Sequence, residues 1–200
     1  MRNNVPFFKQ TTTQNCGPVA LKMVLGYLGK DKPLEELEKL CGLREGKAIS
    51  TLHMAIAAQR TGFRAVFYSK SLMFNEDNLK EEYYKKITDA KLLEELRGIN
   101  KEAEKLGVTM IERGLDLSEI VDIVSEGDVP IVLIDWNLIR GRKGYQGHFV
   151  PVVGYDDDNV YIHNSGFENT GSFVSIEKDL FDKARKVFGT DEDVLIVKKL

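Results

Sequence analysis

The chain has 200 residues, 42% of them hydrophobic and 30% charged, which supports a sizeable core and is too apolar for a disordered region. Its 28 Lys and Arg stand against 31 Asp and Glu, a formal net charge of -3 that argues against a dedicated nucleic-acid binder. The longest apolar run, Val129 to Ile134, is far short of the ~20 residues of a membrane span, the first ten residues do not form a signal peptide, and two cysteines make no disulfide framework, so a soluble cytoplasmic protein is expected.

A polar stretch from Lys9 to Asn15 precedes a helix that begins at Cys16, carries Val19, Ala20, Met23, Val24 and Tyr27 on one side, and stops at Gly29. Pro33 opens a second helix, Leu34 to Cys41, ended by Gly42. A third runs from about Ser50 to Arg60, and Phe63 to Tyr68 alternates as a strand does. From Asn75 to about Leu106 the composition turns highly charged, and Leu79, Tyr83, Ile87, Ala90, Leu93 and Leu96 recur at spacings of three and four. This predicts amphipathic helix, broken near Gly98. Val108 to Ile111 reads as a short strand, and Asp116 caps a helix from Leu117 to Ser125.

The remaining third is strand-rich. Pro130 to Trp136 is a central strand by composition; His148 to Tyr155 pairs with Val160 to His163 across Asp156 to Asn159; Gly171 to Ile176 and Val194 to Val197 complete the sheet. A helix from about Ile176 to Phe188 lies between the last two. Helices cluster early and strands late, an α+β pattern.

One local feature carries chemistry. In Gln14-Asn15-Cys16-Gly17-Pro18-Val19-Ala20-Leu21 a cysteine stands where a polar loop becomes an apolar helix. Free N–H groups and the helix dipole favour a thiolate there, and backbone N–H groups lie ready for an oxyanion. A nucleophilic cysteine needs a base, and the chain has three histidines. His53 is interior to a helix and expected at its surface or half-buried. His163 ends a strand. His148 opens one, after the glycine-bounded loop Gly144-Tyr145-Gln146-Gly147.

Gln10, Cys16-Gly17-Pro18 six residues later, a distant His148-apolar-Gly154-Tyr155 strand and a paired strand ending in Asn164 together resemble a papain-like cysteine peptidase, in particular the bacteriocin-processing (double-glycine leader) peptidases and their stand-alone relatives. The resemblance implies a papain-like α+β fold, with the Cys16 helix packed on an antiparallel sheet. It implies Cys16 as nucleophile, His148 as base, Gln10 as an oxyanion donor and Asn164 as the residue that orients the imidazole. Asn164 departs from the family's usual Asp, and an Asn holds the ring without stabilising imidazolium by charge. The resemblance spans roughly 5–67 and 115–174, so the chain is read as one domain over 1–200 with a charged helical insertion at about 69–107. That insertion is expected to be a lid, a partner surface or added core.

The implied reaction is thiol-dependent hydrolysis of a peptide or another amide, with a Cys16 thiolate and His148 imidazolium as the resting pair and no cofactor or metal. An acyltransferase on the same scaffold and a peptide-binding module without activity remain open alternatives. Because strand alternation puts His163 and Asn164 on opposite faces, His163 is expected behind the site. Cys41 is expected in the core. No ligand spacing supports a metal site, and Asp156-Asp157-Asp158-Asn159 lacks the Gly and terminal Glu of a calcium loop, leaving a solvated turn.

Overall fold

A computed structural model describes residues 1–200. Seven strands form one sheet in the order β2-β1-β7-β3-β4-β5-β6, where β1 is Phe63–Ser69, β2 Thr109–Glu112, β3 Ile131–Asp135, β4 Gly147–Tyr155, β5 Asn159–Asn164, β6 Gly171–Glu177 and β7 Val194–Lys199. Side-chain alternation splits the apolar content between two cores. Phe63, Ala65 and Phe67 of β1, Ile131 and Leu133 of β3, and Leu195 and Val197 of β7 pack on one face. Their neighbours Val66, Val132, Ile134, Val194 and Ile196 pack on the other.

The first face is covered by α1 (Cys16–Tyr27), α3 (Thr51–Arg60) and the C-terminal half of α5 (Ala90–Lys105), with α2 (Leu34–Leu40) adding Leu37. The second is covered by α6 (Leu117–Ser125) and α8 (Lys178–Ala184) through Ile120, Val124, Phe181 and Ala184. The helix α6 opens with a capping box in which Asp116 and Glu119 satisfy each other's backbone N–H groups.

Three differences from the sequence reading have physical causes. The sheet is not wholly antiparallel: β1 and β2 run parallel, because the helical segment between them acts as a crossover. The charged segment does not break at Gly98. It consists of a 3₁₀ turn over Glu76–Lys80, α4 (Glu82–Ile87) and an unbroken α5. Gly98 sits on the exposed side of α5, where its cost of about 1 kcal/mol is outweighed by burial of Leu92, Leu96, Ile99 and Ala103. The break falls instead before Asp89, whose carboxylate accepts the Leu92 N–H at 2.8 Å and starts α5. Finally, Trp136 does not extend β3; it opens α7 (Trp136–Ile139), capped by the Asp135 side chain on the Asn137 N–H.

The N-terminal residues lie across the outer part of β4. The Met1 amine donates to Tyr155 O, and Arg2 bridges Gly154. A Cβ at Gly154 would lie 2.5 Å from Met1 O, so the glycine of the His-apolar-Gly-Tyr run is a site of close backbone approach.

Candidate active site

Cys16 is the first residue of α1, and its sulfur faces the sheet. The backbone N–H groups of Phe149, Gly17 and Cys16 itself lie against that sulfur and favour a thiolate, but burial outweighs them and pushes the thiol up. Asn15 makes no side-chain cap on this helix; its amide is held by Thr11 and Glu38. The first-turn N–H groups of Cys16 and Gly17 are therefore left to the sulfur, and Pro18 has none to offer.

His148 is the second residue of β4, opposite Ile134 of β3, and is buried with its ring tilted against Trp136 at 5.4 Å between centroids. Its Nε2 lies 2.9 Å from Asn164 Oδ1. Both Asn164 Nδ2 donations, to Glu168 O and Asn169 O at 2.8 Å each, fix the amide so that its oxygen faces the ring. Nε2 therefore carries the proton and donates it, which leaves Nδ1 as the basic nitrogen. Burial, with a smaller contribution from the Arg140 charge, lowers the His148 pKa to about 4 despite the Asn164 bond.

These directions bear on one expectation. With the thiol pushed up and the imidazole pushed down, burial works against the expected thiolate–imidazolium pair. No hydrogen bond joins the two side chains. The helix terminus acts as expected on the sulfur, but desolvation is the larger effect.

Gln10 lines the same cavity as Cys16 and His148. Its Nε2 donates to Thr12 O at 2.9 Å, its Oε1 accepts from Ser165 Oγ at 3.2 Å, and its N–H bonds Ser165 O. The residue after Asn164 thus holds the glutamine, and one Nε2 hydrogen stays free of these bonds. Gly166 follows; its N–H donates to Asn164 Oδ1, and a Cβ there would lie 3.0 Å from that oxygen.

The other candidates lie elsewhere. His163 is on the opposite side of β5, with Nδ1 accepting the Phe173 N–H, Nε2 donating to Val5 O, and the ring between Phe7 and Phe173. His53 is half-buried, and its Nδ1 accepts the Ser50 N–H at the start of α3. Cys41 is fully buried, its thiol pushed up by burial and by Glu38. Asp156 folds its turn locally by accepting the Asp158 and Asn159 N–H groups.

The cavity has a volume of about 780 Å³ and extends well beyond Cys16 and His148. Its far wall comes from the charged segment and the loop before β7. Tyr83 of α4 donates to Gly147 O at 3.1 Å, directly before His148, and its own ionisation is opposed by burial and then by the nearby Cys16. Tyr84 donates to Gly189 O and stacks on Tyr145 with centroids 5.4 Å apart. The charged helical segment is thus both wall and core: α4 faces the cavity while α5 packs on α3. Deeper in the wall, Asp193 accepts from Thr51 Oγ1, and burial pushes its carboxyl up to about 7. Sequence reasoning placed Tyr83 on the apolar face of the charged segment but missed Asp193, which occupies an irregular loop with no pattern to mark it. Nowhere do three or more His, Cys, Asp or Glu side chains gather as they do around a metal ion.

A family model described as guanylylate cyclase matches residues 5–197. The chain belongs to the guanylylate cyclase family. It is 26% identical over 215 residues to guanylyl cyclase 1 of Arabidopsis thaliana, covering 97% of this chain and 75% of the relative. Among solved structures it is similar to a double-glycine motif protease from an AMS/PCAT transporter in complex with its leader peptide, at 22% identity and a TM-score of 0.54 over 100% of this chain and 94% of that one. It is likewise similar to a C39-like peptidase from Bacillus anthracis, at 14% identity and a TM-score of 0.59 over 100% and 98%. The peptidase domain of Streptococcus ComA, a bifunctional ABC transporter, aligns at 13% identity and a TM-score of 0.56 over 98% and 100%. These likenesses establish the papain-like peptidase fold that the resemblance implied; the family shown is the guanylylate cyclase family, which here carries that fold.

Proposed function

We propose that the protein is a thiol-dependent acyl-transfer enzyme, a cysteine peptidase or amide hydrolase in which Cys16 is the nucleophile. The observation that carries this reading is the His148–Asn164 pair: the amide fixes the imidazole with Nδ1 unprotonated, in the cavity that Cys16 also lines. Starting from the neutral pair, His148 Nδ1 takes the thiol proton as the sulfur attacks a substrate carbonyl. The oxyanion is met by the Cys16 N–H and the free Gln10 Nε2 hydrogen. Imidazolium gives its proton to the leaving amine, the C–N bond breaks, and a thioester remains. Water, deprotonated by His148, cleaves the thioester and restores the thiol. An amine acceptor in place of water makes the same site a transferase.

Guanylyl cyclisation is the second reading, favoured by the family match. Expelling pyrophosphate from a nucleoside triphosphate needs cations against the phosphates. The residues present fit this poorly. No metal-ligating cluster forms, Arg140 already bonds Glu168, Asn137 and Gln146, and Lys86 is exposed.

The deciding experiment incubates wild type, Cys16→Ala and His148→Ala with N-acetylpeptide p-nitrophenyl esters, traps the acyl-enzyme with acid and maps it by mass spectrometry. In parallel, GTP with Mg²⁺ or Mn²⁺ is assayed for cyclic GMP. Acylation confined to Cys16 and lost in both variants supports the proposal. Cyclic GMP formed at equal rates by wild type and Cys16→Ala, without acylation, replaces it with the second reading.

A further inference from the structure

The acyl-transfer chemistry uses one end of the cavity and leaves the other unexplained. There, Asn78 of the 3₁₀ turn is 1% exposed and lines the cavity with its Oδ1 accepting no hydrogen bond. Its Nδ2 donates to Asp191 Oδ2 at 2.9 Å. Asp193 stands two residues on, takes the Thr51 hydroxyl, and feels the charge of Asp191. Neither carboxyl pairs with any Lys, Arg or His of the chain, although 19 ion pairs form elsewhere. Half-buried carboxyls without a counter-charge carry a cost, and the orphaned buried carbonyl of Asn78 adds to it. The surroundings thus supply hydrogen-bond acceptors and negative charge while lacking a cation.

We propose that this end of the cavity, bounded by Asn78, Asp191, Asp193 and Tyr84, is a subsite for an organic cation on the substrate, a guanidinium in preference to an ammonium. Asn78 Oδ1 and the two carboxylates offer more acceptors than a compact ammonium requires, and they suit a planar group with several N–H donors. Tyr84 is close enough to both carboxyls for their charges to oppose its ionisation, and Phe74 packs against its ring. That places aromatic surface beside the cation's position, where it strengthens binding. Two carboxyls without a third acidic, His or Cys ligand fall short of a metal-binding group, and the aromatic wall favours the organic cation. The role of this group as part of a substrate rests on the acyl-transfer reading; its binding does not.

The test is calorimetric titration of the folded protein with N-acetylarginine amide and with N-acetylcitrulline amide, which has the same shape and no charge. Quenching of Trp136, the chain's one tryptophan and part of the cavity wall, is a second readout. N-acetylarginine amide is expected to bind at least tenfold more tightly than N-acetylcitrulline amide, and Asp193→Asn, checked for folding by circular dichroism, to abolish the difference. Alanine amide, cationic only at its amine, tells a side-chain cation from an N-terminal one. Equal affinities of wild type for the arginine and citrulline amides overturn the proposal without recourse to any variant, as does MgCl₂ or CaCl₂ alone occupying the site and excluding arginine amide. Cys16→Ser should bind as wild type does. Binding with no Cys16 acylation refutes the catalytic reading alone, and acylation with no preference for arginine refutes the subsite alone.

Discussion

The wall of the cavity that carries Cys16, His148 and Asn164 and the wall opposite, with Asn78, Tyr83, Tyr84 and Asp193, are held in place by different forces. The first is made of regular structure. Cys16 is fixed by the start of α1, His148 by its register in β4 opposite Ile134, and Asn164 by the end of β5. Hydrogen-bonded ladders set those positions, and local amide contacts then aim the side chains. The second wall has a short helix, α4, whose residues are half-buried or exposed, and a loop whose Asp191 and Glu192 hold φ of 48° and 55°. Such left-handed residues persist only when their surroundings hold them. Here Asp191 O accepts from the Lys70 N–H and Ser69 Oγ, while Glu192 pairs with Lys70. The first wall is therefore held by regular structure, and the second by side-chain and loop contacts.

The sharpest way to break this comparison is on the chemical wall. Cys16→Ala is expected to lower acyl-transfer kcat/KM by on the order of 10³ or more, measured on a peptide ester, with the fold retained. Asn164→Ala frees the imidazole to turn and should cost roughly 10²-fold. Gly166→Ala presses a methyl group toward Asn164 Oδ1 and is expected to fall between that loss and wild type. If Asn164→Ala leaves the rate unchanged, the pair is structural and the catalytic assignment fails.

On the opposite wall the effects are smaller and concern access. Tyr83→Ala removes the hydroxyl bonded to Gly147 O and the ring beside Cys16, so iodoacetamide should alkylate Cys16 several-fold faster than in wild type at pH 7.5, about a unit below the ordinary thiol pKa of ~8.5. Alkylation of Cys41, read on its own peptide, should stay slow because that thiol is in the core. Equal Cys16 rates in both proteins would mean that α4 does not control entry.

Two pH effects of opposite sign separate the walls in stability measurements. His148 is held at about 4, below its ordinary 6.5, so the unfolded chain binds the extra proton. Stability should fall as pH drops from about 6.5 to about 4, and His148→Gln should flatten part of that slope. His53, also lowered to about 4, and His163, likewise lowered by burial, act in the same direction. Asp193 is raised to about 7, so the folded chain holds the proton and stability is lost as pH rises from about 3.8 to about 7. Asp193→Asn should therefore raise Tm at pH 8 more than at pH 5, read by calorimetry. An equal change at both pH values would mean that the carboxyl is already ionised in the fold.

The legibility of the two walls in the amino-acid sequence follows the same division. The helix at Cys16, the strand at His148 and the turn that brings Asn164 beside it each rest on short-range pattern, and the alternation that puts His163 behind the site is a property of any strand. The break at Asp89 was missed because a buried face carried α5 through Gly98, a decision made by packing on α3. Asp193 was missed because nothing local distinguishes an acidic loop residue in solvent from one facing an enclosed cavity.

By itself, then, the sequence determined the α+β architecture and the order of the strands along the chain, since period and spacing are short-range properties, while the residues that approach one another near Cys16 were implied by the family resemblance. Only the tertiary structure decided the parallel pairing of β1 with β2, the folding of α4 over the cleft, and how strongly burial opposes charge at the site. Charge at Cys16, His148 and Asp193 depends on how completely water is removed. That is a property of every segment closing the cavity, and of no one of them alone.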